Sequence, residues 1–420
     1  MATRPVLDPA ISLYHLLDPK VLADPYPLYR NLREQAPVAW DPYLSCWVVT
    51  RYDDVLTVLK EFSADRTPSA DFMRKLGLDE IGPLAEVMSR QMLFLDAPAH
   101  THLRKLCSTA FTPRRVERLQ EYVVAIADEL IDEVIASGSM DIVKEFAERL
   151  PAIVTAHLLG MPREDHLQLK AWSADFAEML GNFQHNPGGV ARVLKSLADM
   201  TAYFRSAIRE ERRKLEDGLV KSLIEAEVDG ERLTEDEVIA NIVVTMVGGQ
   251  ETTTNLIGNG MLTLLRQPEK LAELRDRPEI IETGVEELLR YESPSQHTGR
   301  ICARDTMLGG QVIPKGAPVL AVMAAGNRDP ERFADPDALD LERADNRHLA
   351  FGWAAHFCFG APLARMEGQI AFRKLLERLP DITLGEGKLE WRENLGLRGL
   401  RALPVTFGAD TPGPDTPSNV

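Results

Sequence analysis

The sequence predicts a mainly helical protein with small β-sheets. Three observations carry that prediction. Apolar residues recur every three or four positions through Leu119 to Ile135, Leu194 to Lys214 and Leu233 to Leu265, the spacing of one helix face. Strand-like runs are few and short. The 420 residues contain no Gly/Ser linker, low-complexity block or internal repeat. One large domain is therefore expected over residues 1–407, although length alone would suggest about two or three.

The elements follow in chain order. Val38 to Trp40 and Cys46 to Thr50 read as the first strands, and the three long amphipathic stretches come next. Gly309-Gly310 marks a hairpin leading into a strand at Gln311 to Ile313, with another at Pro318 to Val322. Gly408 to Val420, rich in Pro, Thr, Asp and Gly, reads as a disordered tail. The stretch from Leu233 to Leu265 would form a helix roughly 50 Å long at about 1.5 Å per residue. Its middle, Val247-Gly248-Gly249-Gln250-Glu251-Thr252-Thr253-Thr254, breaks helix preferences with two glycines and three β-branched residues. Such breaches mark functional sites. The glycines leave room for a flat ligand. Glu251 and Thr252 project about 100° apart, so one faces a ligand and the other leads away toward solvent. An acid beside an alcohol makes a sensible proton relay.

A net charge of −16 argues against a nucleic-acid partner. Cys46, Cys107, Cys302 and Cys358 lack zinc-site spacing and read as reduced thiols of a cytoplasmic protein. Met1 to Lys20 has no uninterrupted apolar run, so no membrane anchor is expected there.

Cys358 is the most informative residue. It sits in Phe351-Gly352-Trp353-Ala354-Ala355-His356-Phe357-Cys358-Phe359-Gly360, which leads into a helix with Pro362 in its first turn. Helix amides and the helix dipole there favour thiolate. Among Phe351, Phe357 and Phe359, a thiolate would be a soft ligand for iron. The decapeptide resembles the haem-binding loop of the cytochrome P450 family, Phe-Gly-x-Gly-x-His-x-Cys-x-Gly. Ala354 stands where that family carries glycine, a position that often needs positive φ or close backbone approach.

Other segments share the resemblance. The break in the long helix resembles the family's oxygen-activation motif, which implies Thr252 beside bound oxygen, Glu251 on the proton-delivery side, and Gly248 and Gly249 against the haem. Glu287-Leu288-Leu289-Arg290 resembles the Glu-x-x-Arg helix, which implies a buried ion pair completed by Arg343. Asp96-Ala97-Pro98-Ala99-His100-Thr101-His102-Leu103-Arg104 resembles the Asp-x-Pro-x-His-x-x-x-Arg motif, implying that His100 and Arg104, with Arg300 and His356, meet the haem propionates. Asn327-Arg328-Asp329-Pro330 and Arg398 to Val405 agree, so the resemblance runs from about Asp24 to Phe407.

What the resemblance implies is a P450 fold, with haem b buried between the long central helix and the cysteine-loop helix. The reaction would insert one atom of O2 into an apolar or partly oxygenated small molecule, by hydroxylation or epoxidation. Electrons would come from a separate ferredoxin and ferredoxin reductase, since no flavin or iron–sulfur motif is present. Arg104, Lys105, Arg114, Arg115 and Arg365 are candidates for the docking patch, and a monomer is expected. A peroxide-dependent haem-thiolate enzyme, a non-catalytic haem sensor and a helical scaffold without haem are the alternatives. Pocket residues are expected within Thr67 to Phe94, Met179 to Val193, Ile242 to Thr252, Pro294 to Thr298 and Asn394 to Leu397. Ser295, where relatives usually place valine, joins Gln296, His297 and Leu395 as the named candidates and suggests a roomier, more polar site.

Overall fold

A computed structural model describes residues 6–67, 79–182, 187–214, 218–228 and 230–408. The site is framed by eight helices: α1 (Ala99–Ala110), α2 (Pro113–Asp132), α3 (Arg149–Leu159), α4 (His166–Asn182), α5 (Val190–Lys214), α6 (Glu235–Leu265), α7 (Ile281–Tyr291) and α8 (Ala361–Arg378). The three periodic stretches of the sequence fall in α2, α5 and α6, with ends shifted by a few residues. The expected tail lies, apart from Gly408, outside the described residues.

Helix α6 runs through the centre, about 46 Å long at about 1.5 Å per residue. Thr234 caps it. Its hydroxyl accepts from the Glu237 amide, while the Glu237 carboxylate accepts from the Thr234 amide at 2.8 Å, so two end groups are satisfied reciprocally. Helix α8 lies against α6 at very short range. A Cβ on Gly260 of α6 would come within 2.4 Å of the Phe372 ring, and one on Gly368 of α8 within 2.9 Å of Leu256. Each helix thus offers a bare backbone to a large side chain of the other, fixing the distance between them.

The main sheet has four strands in the order β1 (Val38–Asp41), β2 (Cys46–Val49), β4 (Pro318–Ala321), β3 (Thr298–Ile301). The β2–β4 pair is parallel, with Trp47 opposite Val319 and Val49 opposite Ala321; its neighbours are antiparallel. Trp47, Val49, Val319 and Ala321 bury one face against Val55, Val58 and Phe333 in a core separate from the helical one. The hairpin at Gly309-Gly310 forms, both glycines at positive φ. Strand β3 reads Thr-Gly-Arg-Ile and shows no alternation; it is a strand because β4 pairs with it. Among the described residues no helix is long and apolar enough to cross a membrane.

Candidate functional site

Cys358 stands three residues before Ala361, the first residue of α8. Its amide donates to Phe351 O at 2.8 Å, closing the loop. The Gly360 and Ala361 amides point at its sulfur. The turn within the loop uses Gly352 at φ +68 and Ala354 at φ +56. Ala354 therefore holds a left-handed conformation that costs an L residue about 1–2 kcal/mol. Phe351 packs edge-on to Phe357 at 6.2 Å and lies 4.7 Å beneath the Arg365 guanidinium. Phe359 meets Phe111 at 4.8 Å.

The helix amides expected to favour the Cys358 thiolate work against desolvation. Burial raises the thiol above its ordinary value, and the Gly360 amide, Arg104, Arg365 and the Ala361 amide oppose it without prevailing. A bound metal cation is the charge that would ionise this sulfur outright.

The site's arginines and histidines gather with little negative charge to meet them. The His100 and His356 rings lie 4.1 Å apart. Burial, then His100 and Arg300, push His356 down to about 3. Arg300 Nη1 donates to Thr298 Oγ1 at 3.0 Å and to Gly299 O at 2.8 Å, and burial lowers its pKa to about 10. His100 Nε2 and Arg300 Nε are buried without hydrogen-bond partners. The carboxylate acting on this group, Asp96, already accepts from Ser63 Oγ and the Ala64 amide. Arg104 lies closer to the cysteine, its guanidinium 5.5 Å from the Phe359 ring. Arg66, which no motif announced, sits beside Arg300.

In α6, Thr252 Oγ1 donates to Gly248 O at 2.6 Å, the back-bonding that bends helices. The two glycines differ. A Cβ on Gly248 would meet nothing within 4 Å, whereas one on Gly249 would meet Thr155 Oγ1 of α3 at 3.2 Å. Gly249 is therefore also a close-packing position against α3. Glu251 does not run freely to solvent. It is 4% exposed and pairs with Lys170 of α4 and with Arg392 at 3.0 Å. Arg392 continues outward to Glu148, whose side chain is partly exposed.

Gln296 also departs from expectation. Its amide accepts from Tyr29 Oη at 2.8 Å and donates to Ser293 O at 2.6 Å, so it is tied into the core rather than the pocket. Strand-like alternation puts Ser295 and His297 on the other face. Ser295 bridges to Leu397, and the Gln296 amide donates to Gly396 O. Burial lowers His297 to about 4 against a hydrogen bond with the Leu395 backbone, which leaves the imidazole neutral at ordinary pH. Leu395 is buried. Asn394 Nδ2 ties this segment to α4 through Ala177 O. The expected pocket stretches 68–78 and 183–186 lie outside the described residues.

Behind the cysteine loop, Glu287 and Arg290 are fully buried and joined by two hydrogen bonds of 2.7 Å. Arg343 Nε and Asn346 Nδ2 donate to the same carboxylate, and Arg290 also reaches the carbonyls of Asn327, Pro336 and Ala338. The neighbouring Glu286 was missed. It takes two hydrogen bonds of 2.7 Å from Arg365 and pairs with His348 at 3.2 Å, holding α8 and the preceding loop to α7. Of the docking candidates, Arg365 is engaged by Glu286, and Arg115 donates to Ser222 Oγ.

Comparison with known proteins gives a consistent result. The family model described as "Cytochrome P450" matches residues 48–380. The polyketide biosynthesis cytochrome P450 PksS of Bacillus subtilis (strain 168) is 36% identical over 398 residues, 91% of this chain and 96% of that one. The cytochrome P450 monooxygenase PikC of Streptomyces venezuelae is 39% identical over 418 residues, 97% of this chain and 95% of the relative. Among solved structures, P450BioI in complex with an acyl carrier protein ligated to hexadec-9Z-enoic acid superposes with a TM-score of 0.87 at 35% identity, over 93% of this chain and 99% of that one.

Proposed function

The chain belongs to the cytochrome P450 family, and from that premise we propose a monooxygenase acting on a bulky, partly oxygenated small molecule such as a polyketide or steroid, with electrons from a separate ferredoxin and ferredoxin reductase. The family's prosthetic group is haem b, and the donor set fits it. Cys358 offers iron one soft sulfur ligand. His100, Arg300 and His356 offer the propionates cationic or hydrogen-bonding groups, two of them with buried unpaired nitrogens. Gly248 leaves room beside the α6 backbone. When bound, haem supplies the oxygen activation, one atom of O2 entering the substrate and the other leaving as water, with thiolate ligation favouring O–O cleavage.

The observation that carries the reading is the pair Thr252 and Glu251. The Thr252 hydroxyl is held at Gly248 O on the open side of α6. Glu251 is its sequence neighbour but faces the outward chain through Arg392 to Glu148. With its own proton on Gly248 O, the Thr252 hydroxyl offers lone pairs to the ligand side, where it can accept a hydrogen bond from a proton-bearing group, and Glu251 is the acid that supplies protons from the surface side. A peroxide-using enzyme or a haem sensor would not need this relay. Ser295 and the neutral His297 give the pocket polar groups beside apolar Leu395, and the relative PksS is named for polyketide biosynthesis. Arg104 and Arg114 are the candidates for a basic patch that would steer an acidic electron donor. A monomeric, cytoplasmic protein accords with this role.

The test is coupling of electron supply to product. With NADH and a ferredoxin system, Thr252→Ala is expected to keep haem and substrate binding but divert reducing equivalents into peroxide. Glu251→Gln is expected to slow turnover on the order of 10²-fold. Wild-type rate and coupling in both variants would remove the relay.

A further inference from the structure

Arg66 is held as a ligand-binding arginine is held, yet nothing among the described residues neutralises it. Its guanidinium lies 4.3 Å over the Phe94 ring, and Nη1 donates to Ala64 O at 3.1 Å and Leu93 O at 3.3 Å. Its stem lies against β3, where a Cβ on Gly299 would meet Arg66 Cδ at 3.1 Å. Nε and Nη2 make no hydrogen bond among the described residues, and no carboxylate there forms an ion pair with it. Burial first, and then the charge of Arg300, lower its pKa to about 9. It still carries its proton at neutral pH. The adjacent Thr67 Oγ1 is likewise buried without a partner. Among the described residues, two neighbouring guanidiniums fixed by backbone carbonyls keep N–H groups without partners and form no ion pair, an arrangement suited to receive an anion.

We propose that Arg66 binds a carboxylate of the prosthetic group together with Arg300. The inference rests on the haem reading above. It adds to the cradle a cation from the chain before α1, outside every motif that suggested the site.

Haem retention tests it separately from turnover. A wild-type protein that gives no pyridine haemochrome overturns the functional reading and this proposal with it. With haem-loaded wild type in hand, the question narrows to Arg66. Arg66→Gln keeps a donor for the Ala64 and Leu93 carbonyls and removes the charge. It is expected to lose haem to apomyoglobin about tenfold faster. Its reduction potential should shift to more negative values, because a cation that disfavoured the ferric state is gone. Arg66→Lys keeps the charge but loses the planar fork. It is expected to hold the wild-type potential and still transfer haem faster than wild type. A wild-type transfer rate in either variant overturns the proposal. So does a loss confined to affinity for dodecanoate, used as a carboxylate probe, which would assign Arg66 to substrate.

Discussion

At Ala354 the chain departs from its family's pattern, and the departure has a measurable consequence. Its φ of +56 is one that glycine adopts freely. Ala354→Gly would relieve about 1–2 kcal/mol of strain and return about 0.4–1 kcal/mol of it through a more flexible unfolded chain. The expected result is a net stabilisation of at most about 1.6 kcal/mol, read from denaturant unfolding of the haem-loaded protein; a destabilised variant would contradict the strain. Cys358 and Ala354 were both legible because a ten-residue pattern surrounds them. Arg66 was not, since an arginine in a short polar run gains meaning only once burial and Arg300 are seen. Gln296 was misread because one residue of strand alternation decides which face it takes. Glu286 was overlooked because the sequence gives two adjacent acids and only the helix turn separates their partners.

The long helices were written plainly in three- and four-residue spacings, and α6 carries its own start signal in Thr234 and Glu237. What the spacing could not show is how close α6 and α8 come. Gly260→Ala pushes a methyl toward the Phe372 ring, within 2.4 Å in the present packing. Overpacking of this kind costs about 1–3 kcal/mol. The variant is expected to melt at lower temperature, and because α8 begins beside Cys358, to show a disturbed Soret band. An unaltered melt would mean the two helices separate at no cost. Strand β3 and the three-stranded sheet of Ser139–Asp141, Thr383–Leu384 and Pro404–Thr406 escaped the reading, since strands of two to four residues leave too few positions for alternation to register.

For the whole molecule, the acid limb of stability has an identifiable contributor. Burial tends to raise Glu286, but Arg365 and His348 outweigh it and hold the carboxyl near about 2, against an ordinary 4.5. Because the folded value is the lower, its contribution is complete above about pH 4.5 and is lost as pH falls toward 2. Glu286→Gln should therefore flatten the stability profile between those values; an unchanged slope in urea titrations across that range would exclude the residue as a cause. The parallel pairing of β2 with β4 bears on a different process, the order in which a growing chain can fold. Trp47 to Val49 pair with β1 on one side and, on the other, with Val319 to Ala321. At about 5–20 residues per second, synthesis leaves that apolar strand waiting on the order of tens of seconds. Throughout that interval β2 has one unfilled edge, a template on which another chain's strand can pair.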